Sequence, residues 1–123
     1  MEIIEELNEN QLKLKAVDAG DTVKVPWQGK SNDRNPSLYL GPFFEKVIKH
    51  VKDAGKKLEL DFTQLQYMNS STITPVVQLL DQARESGLSV FVLYDKSKSW
   101  QEISFSAMTI FESEDPVIKI VPV

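Results

Sequence analysis

No cysteine occurs in the 123 residues, which removes disulfides, thiolate nucleophiles and cysteine-based metal centres from consideration. Histidine occurs once, at His50. It stands with Lys46, Lys49 and Asp53 on the side of a helical pattern that should face water, so it reads as a solvated residue and a serine triad has no positioned base. No apolar run approaches the ~20 residues of a membrane span, and the opening MEIIEELNEN is acidic where a secretory leader would be basic and then apolar. A cytoplasmic setting without membrane association is expected. The 14 Lys and Arg against 18 Asp and Glu leave a net charge of -4, which opposes a phosphate backbone. The lysines are scattered along the chain instead of forming a stripe, so nucleic-acid binding is not expected. Low-complexity segments and internal repeats are missing too.

What remains is a chain suited to one domain, residues 1–123, large enough to bury a core without staples. Residues 2–9 are too short and too acidic to assign, and read as a frayed helical turn or a partner-contacting arm. Leu12, Leu14 and Ala16 alternate with lysines, as Val23, Val25 and Trp27 alternate with other residues beyond Ala19-Gly20-Asp21. That is a hairpin of two strands. GKSNDRNP, Gly29 to Pro36, reads as a polar loop. Leu40, Phe43, Phe44, Val47, Ile48, Val51 and Ala54 then trace a helix stripe ending at Gly55. Pro42 inside this stripe predicts either a helix that starts near Gly41 or an earlier turn from Asn35 kinked there.

The stretch from Leu58 to Leu80 joins a strand to a helix. Leu58, Leu60 and Phe62 alternate with Glu59 and Asp61, placing apolar side chains on one face and carboxylates on the other. Ile73, Val76, Val77, Leu80 and Ala83 follow helical spacing, with Gly87 as a stop. Between them lie Asn69, Ser70, Ser71 and Thr72, any of which can cap the helix. LSVFVLY, Leu88 to Tyr94, reads as a central strand. Ser99-Trp100-Gln101-Glu102 fits a capping box before a third helix with a Trp100, Ile103, Ala107, Met108, Phe111 stripe, and Val117 to Val121 reads as a last strand. The order β β α β α β α β predicts an α/β domain in which right-handed crossovers make the later strands parallel. The loops at roughly 28–37, 63–72 and 95–99 then emerge on one edge, where open α/β sheets usually meet ligands and partners.

Catalytic readings do not survive. Gly29-Lys30-Ser31 matches the end of a P-loop, but Lys24 occupies the place of the earlier glycine. Glu59 and Asp61 are paired acids or, with fewer assumptions, the polar face of a sheet. Trp27 and Trp100 fit packing better than ligand stacking. No catalytic residue, metal or cofactor is expected.

At YMNSSTITPVVQLL the chain resembles the STAS superfamily of bacterial anti-sigma-factor antagonists, whose strand-to-helix junction reads as an apolar pair, Asp-Ser-Ser/Thr-Gly and an apolar helix. It is also similar to the SiaC-like branch of small regulatory phosphoproteins, which resembles it in carrying Asn before the hydroxyl. The resemblance covers nearly the whole chain and implies a STAS-like fold: a mixed β-sheet with an N-terminal hairpin and about three helices packed mainly on one face. It implies a non-enzymatic regulator, anti-anti-sigma-like, that binds a Ser/Thr kinase, an anti-sigma factor or a signalling enzyme. Reversible phosphorylation would switch it, with a matching phosphatase. The implied phosphoacceptor is Ser70, with Ser71 and Thr72 as alternatives, and the implied partner-contacting residues are Lys30, Arg34, Asn69, Ser71 and Thr72. Helix capping is the competing role for the hydroxyls. The competing function is a phosphorylation-independent module that binds a protein or small ligand, for example as the regulator of a nucleotide cyclase.

Overall fold

Segments with period two become strands and segments with helical spacing become helices. The computed structural model describes residues 1–123. In chain order the elements are β1 (Glu2–Glu9), β2 (Leu12–Asp18), β3 (Thr22–Ser31), α1 (Ser37–Ala54), β4 (Lys57–Asp61), β5 (Leu65–Met68), α2 (Ser70–Glu85) and β6 (Val90–Tyr94). There follow α3 (Ser99–Ser106), a 3₁₀ turn (Ala107–Phe111), β7 (Ser113–Glu114) and β8 (Val117–Pro122). The sheet has the order β1-β2-β3-β4-β6-β8-β7, with β5 paired to the end of β3. From β3 onward each crossover steps in the same direction, so right-handed connections place α1, α2 and α3 on one face. The other face of the sheet has no helix over it.

The core lies between that single helical layer and the covered face. It gathers Leu14, Val25, Trp27, Leu60 and Val92 from the sheet and Phe44, Val47, Val76, Leu80 and Phe105 from the helices. Trp27 sits 4.5 Å from the Phe62 ring and 6.0 Å from Phe44, and its Nε1 is the one buried side-chain polar atom without a hydrogen-bond partner.

Several sequence expectations change. Residues 2–9 form the edge strand β1, paired antiparallel to β2, with a register irregularity between Ile3 and Glu5. Strand β3 runs through Ser31, so Gly29-Lys30-Ser31 is strand and not loop. The short β5 lies inside the stretch expected to be a loop. Helix α1 starts at Ser37 and carries Pro42 within it. Proline has no N–H, so the Leu38 carbonyl loses its helical partner on the exposed side of the helix. Helix α3 is capped by Lys98 without a side-chain hydrogen bond, so no capping box forms at Ser99. Its buried face departs from the expected stripe in part: Met108 is buried and Trp100 and Phe111 pack against the core as expected, but Gln101 and Phe105 are buried where Ile103, 72% exposed, and Ala107 were expected. The cause is Gln101. Its amide accepts from Asp95 N (2.7 Å) and donates to the Phe62 and Leu65 carbonyls (2.7 and 3.1 Å), which satisfies three backbone groups at once.

A candidate docking edge at the start of helix α2

The site is built where β3 changes partners. Its first half pairs with β4 and its last residues pair with β5, and this hands the chain leaving β5 directly to Ser31: Asn69 N donates to the Ser31 carbonyl at 2.9 Å. Asn69 then takes an extended conformation (φ -86°, ψ 171°) and caps α2. Its Oδ1 accepts from Thr72 N at 3.1 Å and from the Thr72 hydroxyl at 2.7 Å. Its Nδ2 donates to the Asp33 carbonyl at 2.8 Å. Because the Thr72 proton is used on Asn69, the Ser31 hydroxyl is the donor in the 2.6 Å contact between Ser31 and Thr72. Ser31 and Thr72 are 1% and 0% exposed.

The loop opposite is fixed from the other side. Asp33 accepts from Asn10 Nδ2 at 2.6 Å and from the Tyr39 hydroxyl at 2.7 Å. Burial, then the Asp33 carboxylate, pushes the Tyr39 phenol far above its usual range, so it stays a donor. Asn10 adopts φ 54° in the β1–β2 turn, a region asparagine enters more readily than most residues. A continuous set of hydrogen bonds therefore runs from that turn through Asp33 and Asn69 into the first turn of α2. The third loop joins by Lys98, whose Nζ donates to the Thr63 carbonyl at 2.7 Å. The three loops expected on one edge do converge there.

Asn at position 69, where the resembling motif has Asp, follows from this geometry. One side of the group accepts from helix donors while the other must donate to a carbonyl, which a carboxylate cannot do.

The implied site residues separate into distinct roles. Ser70 is exposed and Ser71 half-buried, and neither hydroxyl has a protein partner. Thr72 is overturned both as a partner contact and as an alternative phosphoacceptor, because its oxygen is buried and engaged twice. Asn69 is half-buried and serves as the fastener between the loop and the helix. Arg34 is exposed, one residue beyond Asp33, and has no ion pair. Lys30 pairs with Tyr67 across β3 and β5 and is exposed, whereas its neighbour Ser31 is buried; alternation puts it on the face away from Thr72. Asp33, Tyr39 and Asn10 were not singled out from the sequence, and Ser31 only within the dismissed P-loop match, although it shares the parity of Val23, Val25 and Trp27.

Other candidates resolve as structure. Asp61 accepts from the Thr63 N–H and hydroxyl (2.9 and 2.6 Å) and shapes a turn. His50 is not simply solvated: its Nε2 lies 3.1 Å from Asp18, whose carboxylate oxygens are both 2.6 Å from Lys56 Nζ. The hydrogen bonds from Lys56, then His50, then the Gly20 N–H hold the Asp18 carboxyl far below the usual carboxylate range. This cluster lies at the other end of β3, away from Ser70. No group of three or more His, Asp and Glu side chains gathers into a metal-binding arrangement, and no helix is long and apolar enough to cross a membrane.

No protein-family model matches the chain, and no curated protein matches it. Solved structures do. The crystal structure of apo-SiaC from Pseudomonas aeruginosa superposes with a TM-score of 0.70 at 19% identity, covering 100% of both chains. A chain in the crystal structure of diguanylate cyclase SiaD in complex with its activator SiaC, from the same organism, gives 0.69 at 21% identity, covering 95% of this chain and 99% of that one. A further structure of SiaC gives 0.66 at 19% identity over the full length of both. The chain has the SiaC-like STAS fold, with eight strands in one mixed sheet and three helices.

Proposed function

We propose that this chain is a non-catalytic regulator that docks on a signalling enzyme of the nucleotide-cyclase kind through the edge carrying Asn69, Ser70 and Ser71, and that phosphorylation of Ser70 undoes the docking. The observation that carries the reading is that Ser70 is the exposed hydroxyl of the cluster and has no hydrogen bond, on a helix start tied down by Asn69, Thr72 and Ser31. A cyclase as the partner is supported by the likeness over the whole chain to SiaC, an activator of diguanylate cyclase SiaD. An anti-sigma factor in that place has only the sequence resemblance behind it.

A phosphate on Ser70 adds about -1.5 to -2 charge beside the free N–H groups at the start of α2, which tolerate an anion. The fold is therefore spared and the partner is not. A surface that buried the neutral Ser70 would have to desolvate the new charge unless it supplied Arg or Lys. A protein Ser/Thr kinase would write this mark and a phosphatase remove it.

The test is capture from the native cell with wild type, Ser70→Ala and Ser70→Asp, identification by mass spectrometry, and cyclase assay of what is captured. A nucleotide cyclase held by wild type and Ser70→Ala and lost with Ser70→Asp is the expected result. A cyclase held equally by all three removes the switch, and capture without any cyclase removes the partner.

A further inference from the structure

The lysines that look scattered in the sequence are gathered by the sheet. Lys13 pairs with Gln28 and Asn8, Lys15 with Glu6, Lys24 with Val17 and Glu59, and Lys57 with Thr22. Lys119 pairs with Phe91 across β6 and β8. Cross-strand partners share a face, and these all lie opposite the buried set of Leu14, Val25, Leu60 and Val92. Lys30 continues the row beside Tyr67. Six lysines therefore stand on the face without helices, against the four carboxylates Glu6, Glu59, Asp61 and, at the far edge beside Val117, Glu114, in a chain of net charge -4. All six are exposed, and none takes part in any of the ion pairs of the molecule. Phe91, Leu93 and Val121 form a half-buried apolar row beside them. A trough of about 410 Å³ over β1, β2 and β3 has Lys13 and Lys15 in its wall.

We infer that this open sheet face is a second docking surface, and that its partner is an acidic amphipathic segment of another protein. Apolar side chains would cover Phe91, Leu93 and Val121, with carboxylates against the lysines. The inference stands apart from the Ser70 reading, since it uses the opposite parity of the strands and none of the α2 contacts. A polyanion fits less well. Glu59 and Asp61 interrupt the lysines in the middle of the sheet and would lie under a run of phosphates, whereas a folded or folding protein can place a cation or a gap there. Both arginines, the usual bidentate phosphate ligands, are elsewhere, at Arg34 and Arg84. A second copy packed face to face would set lysine against lysine.

The experiment is fluorescence anisotropy with a labelled peptide of glutamate carrying leucine at helical spacing, titrated with the whole chain at low and high salt. Binding that weakens with salt and falls at least about tenfold for Lys13→Glu/Lys119→Glu, while Lys52→Glu on α1 binds as wild type, is the expected result. Both changed residues have uncharged cross-strand neighbours, and an unchanged melting temperature shows the fold intact. The inference is overturned by no binding, by equal loss with Lys52→Glu, or by equally tight and equally lysine-dependent binding of double-stranded DNA or phosphatidylserine vesicles. It is overturned as well if the chain self-associates through this face, seen as an oligomer that Lys13→Glu/Lys119→Glu dissolves.

Discussion

Asn69, Ser70 and Thr72 are close in sequence and opposite in consequence, and their side chains say why. Thr72 is buried and bonded to Ser31 and Asn69, so Thr72→Val strands the buried Ser31 hydroxyl, leaves Asn69 Oδ1 only the Thr72 N–H, and is expected to cost about 1–3 kcal/mol. Asn69→Asp keeps the cap but turns an oxygen toward the Asp33 carbonyl, for a loss of about 1–2 kcal/mol. Ser70→Ala removes nothing that is bonded and should stay within about 0.5 kcal/mol. Urea unfolding of the three variants checks the ranking, and a large loss for Ser70→Ala would contradict it. At the other end of β3, Asp18 predicts acid behaviour. Its folded pKa is depressed, so its contribution is complete above the ordinary carboxylate value near 3.9 and is lost as pH falls below that. Asp18→Asn should be less stable than wild type at neutral pH, and the gap should close as the solution is acidified. The burial of Thr72 was within reach of the sequence: Thr72, Val76, Leu79 and Ala83 make a helical stripe that shares Val76 and Ala83 with the expected one, whose Leu80 is buried too, and puts Thr72 in the place of Ile73.

Among the elements, Gly29 decides where β3 changes partners. It holds φ +86°, and a Cβ built there would lie 1.9 Å from the Gln11 carbonyl oxygen, which itself accepts from Lys30 N. Gly29→Ala must therefore shift backbone, and a loss above about 2 kcal/mol is expected from strain and displacement together. Because Ser31 follows two residues later, amide shifts in an NMR spectrum should reach Asn69 and Thr72. Gln101→Leu tests the tie between α3 and the chain between β4 and β5. Volume is nearly kept, Asp95 N and the Leu65 carbonyl lose the glutamine, the Phe62 carbonyl keeps only its bond from Leu65 N, and a loss of at least about 2 kcal/mol should appear in the thermal midpoint. The long periodic elements β2, β4, α1, α2 and β6 were legible in the sequence. The edge strand β1 was not, because the irregularity between Ile3 and Glu5 breaks the period of two. Nor was β5, whose buried residues Leu65 and Met68 lie at its two ends and do not alternate. The α3 stripe was misplaced at Ile103 and Ala107 for a different reason: a glutamine buried for its hydrogen bonds does not register as apolar.

For the molecule as a whole, the monotonic strand order puts every helix on one side. That leaves β4 and β6 flanked by strands on both edges and helices above. Their amides should exchange with solvent only in global opening, while the outer amides of β1 and of the two-residue β7 exchange first; uniform protection across the sheet would contradict this. The overall architecture followed from the sequence because crossover handedness is general. The concentration of lysine on the uncovered face did not, since it depends on the register between strands far apart in the chain. Trp27 offers a last consequence. It is fully buried, against Phe62 and Phe44, on the strand that ends at Ser31, while the second tryptophan, Trp100, is half-exposed. Trp100→Phe would leave one emitter sealed from water, giving the protein a native optical gauge: blue emission that resists quenching and is unmoved by Ser70→Asp, and a red shift in any variant that lets water reach the core around Trp27.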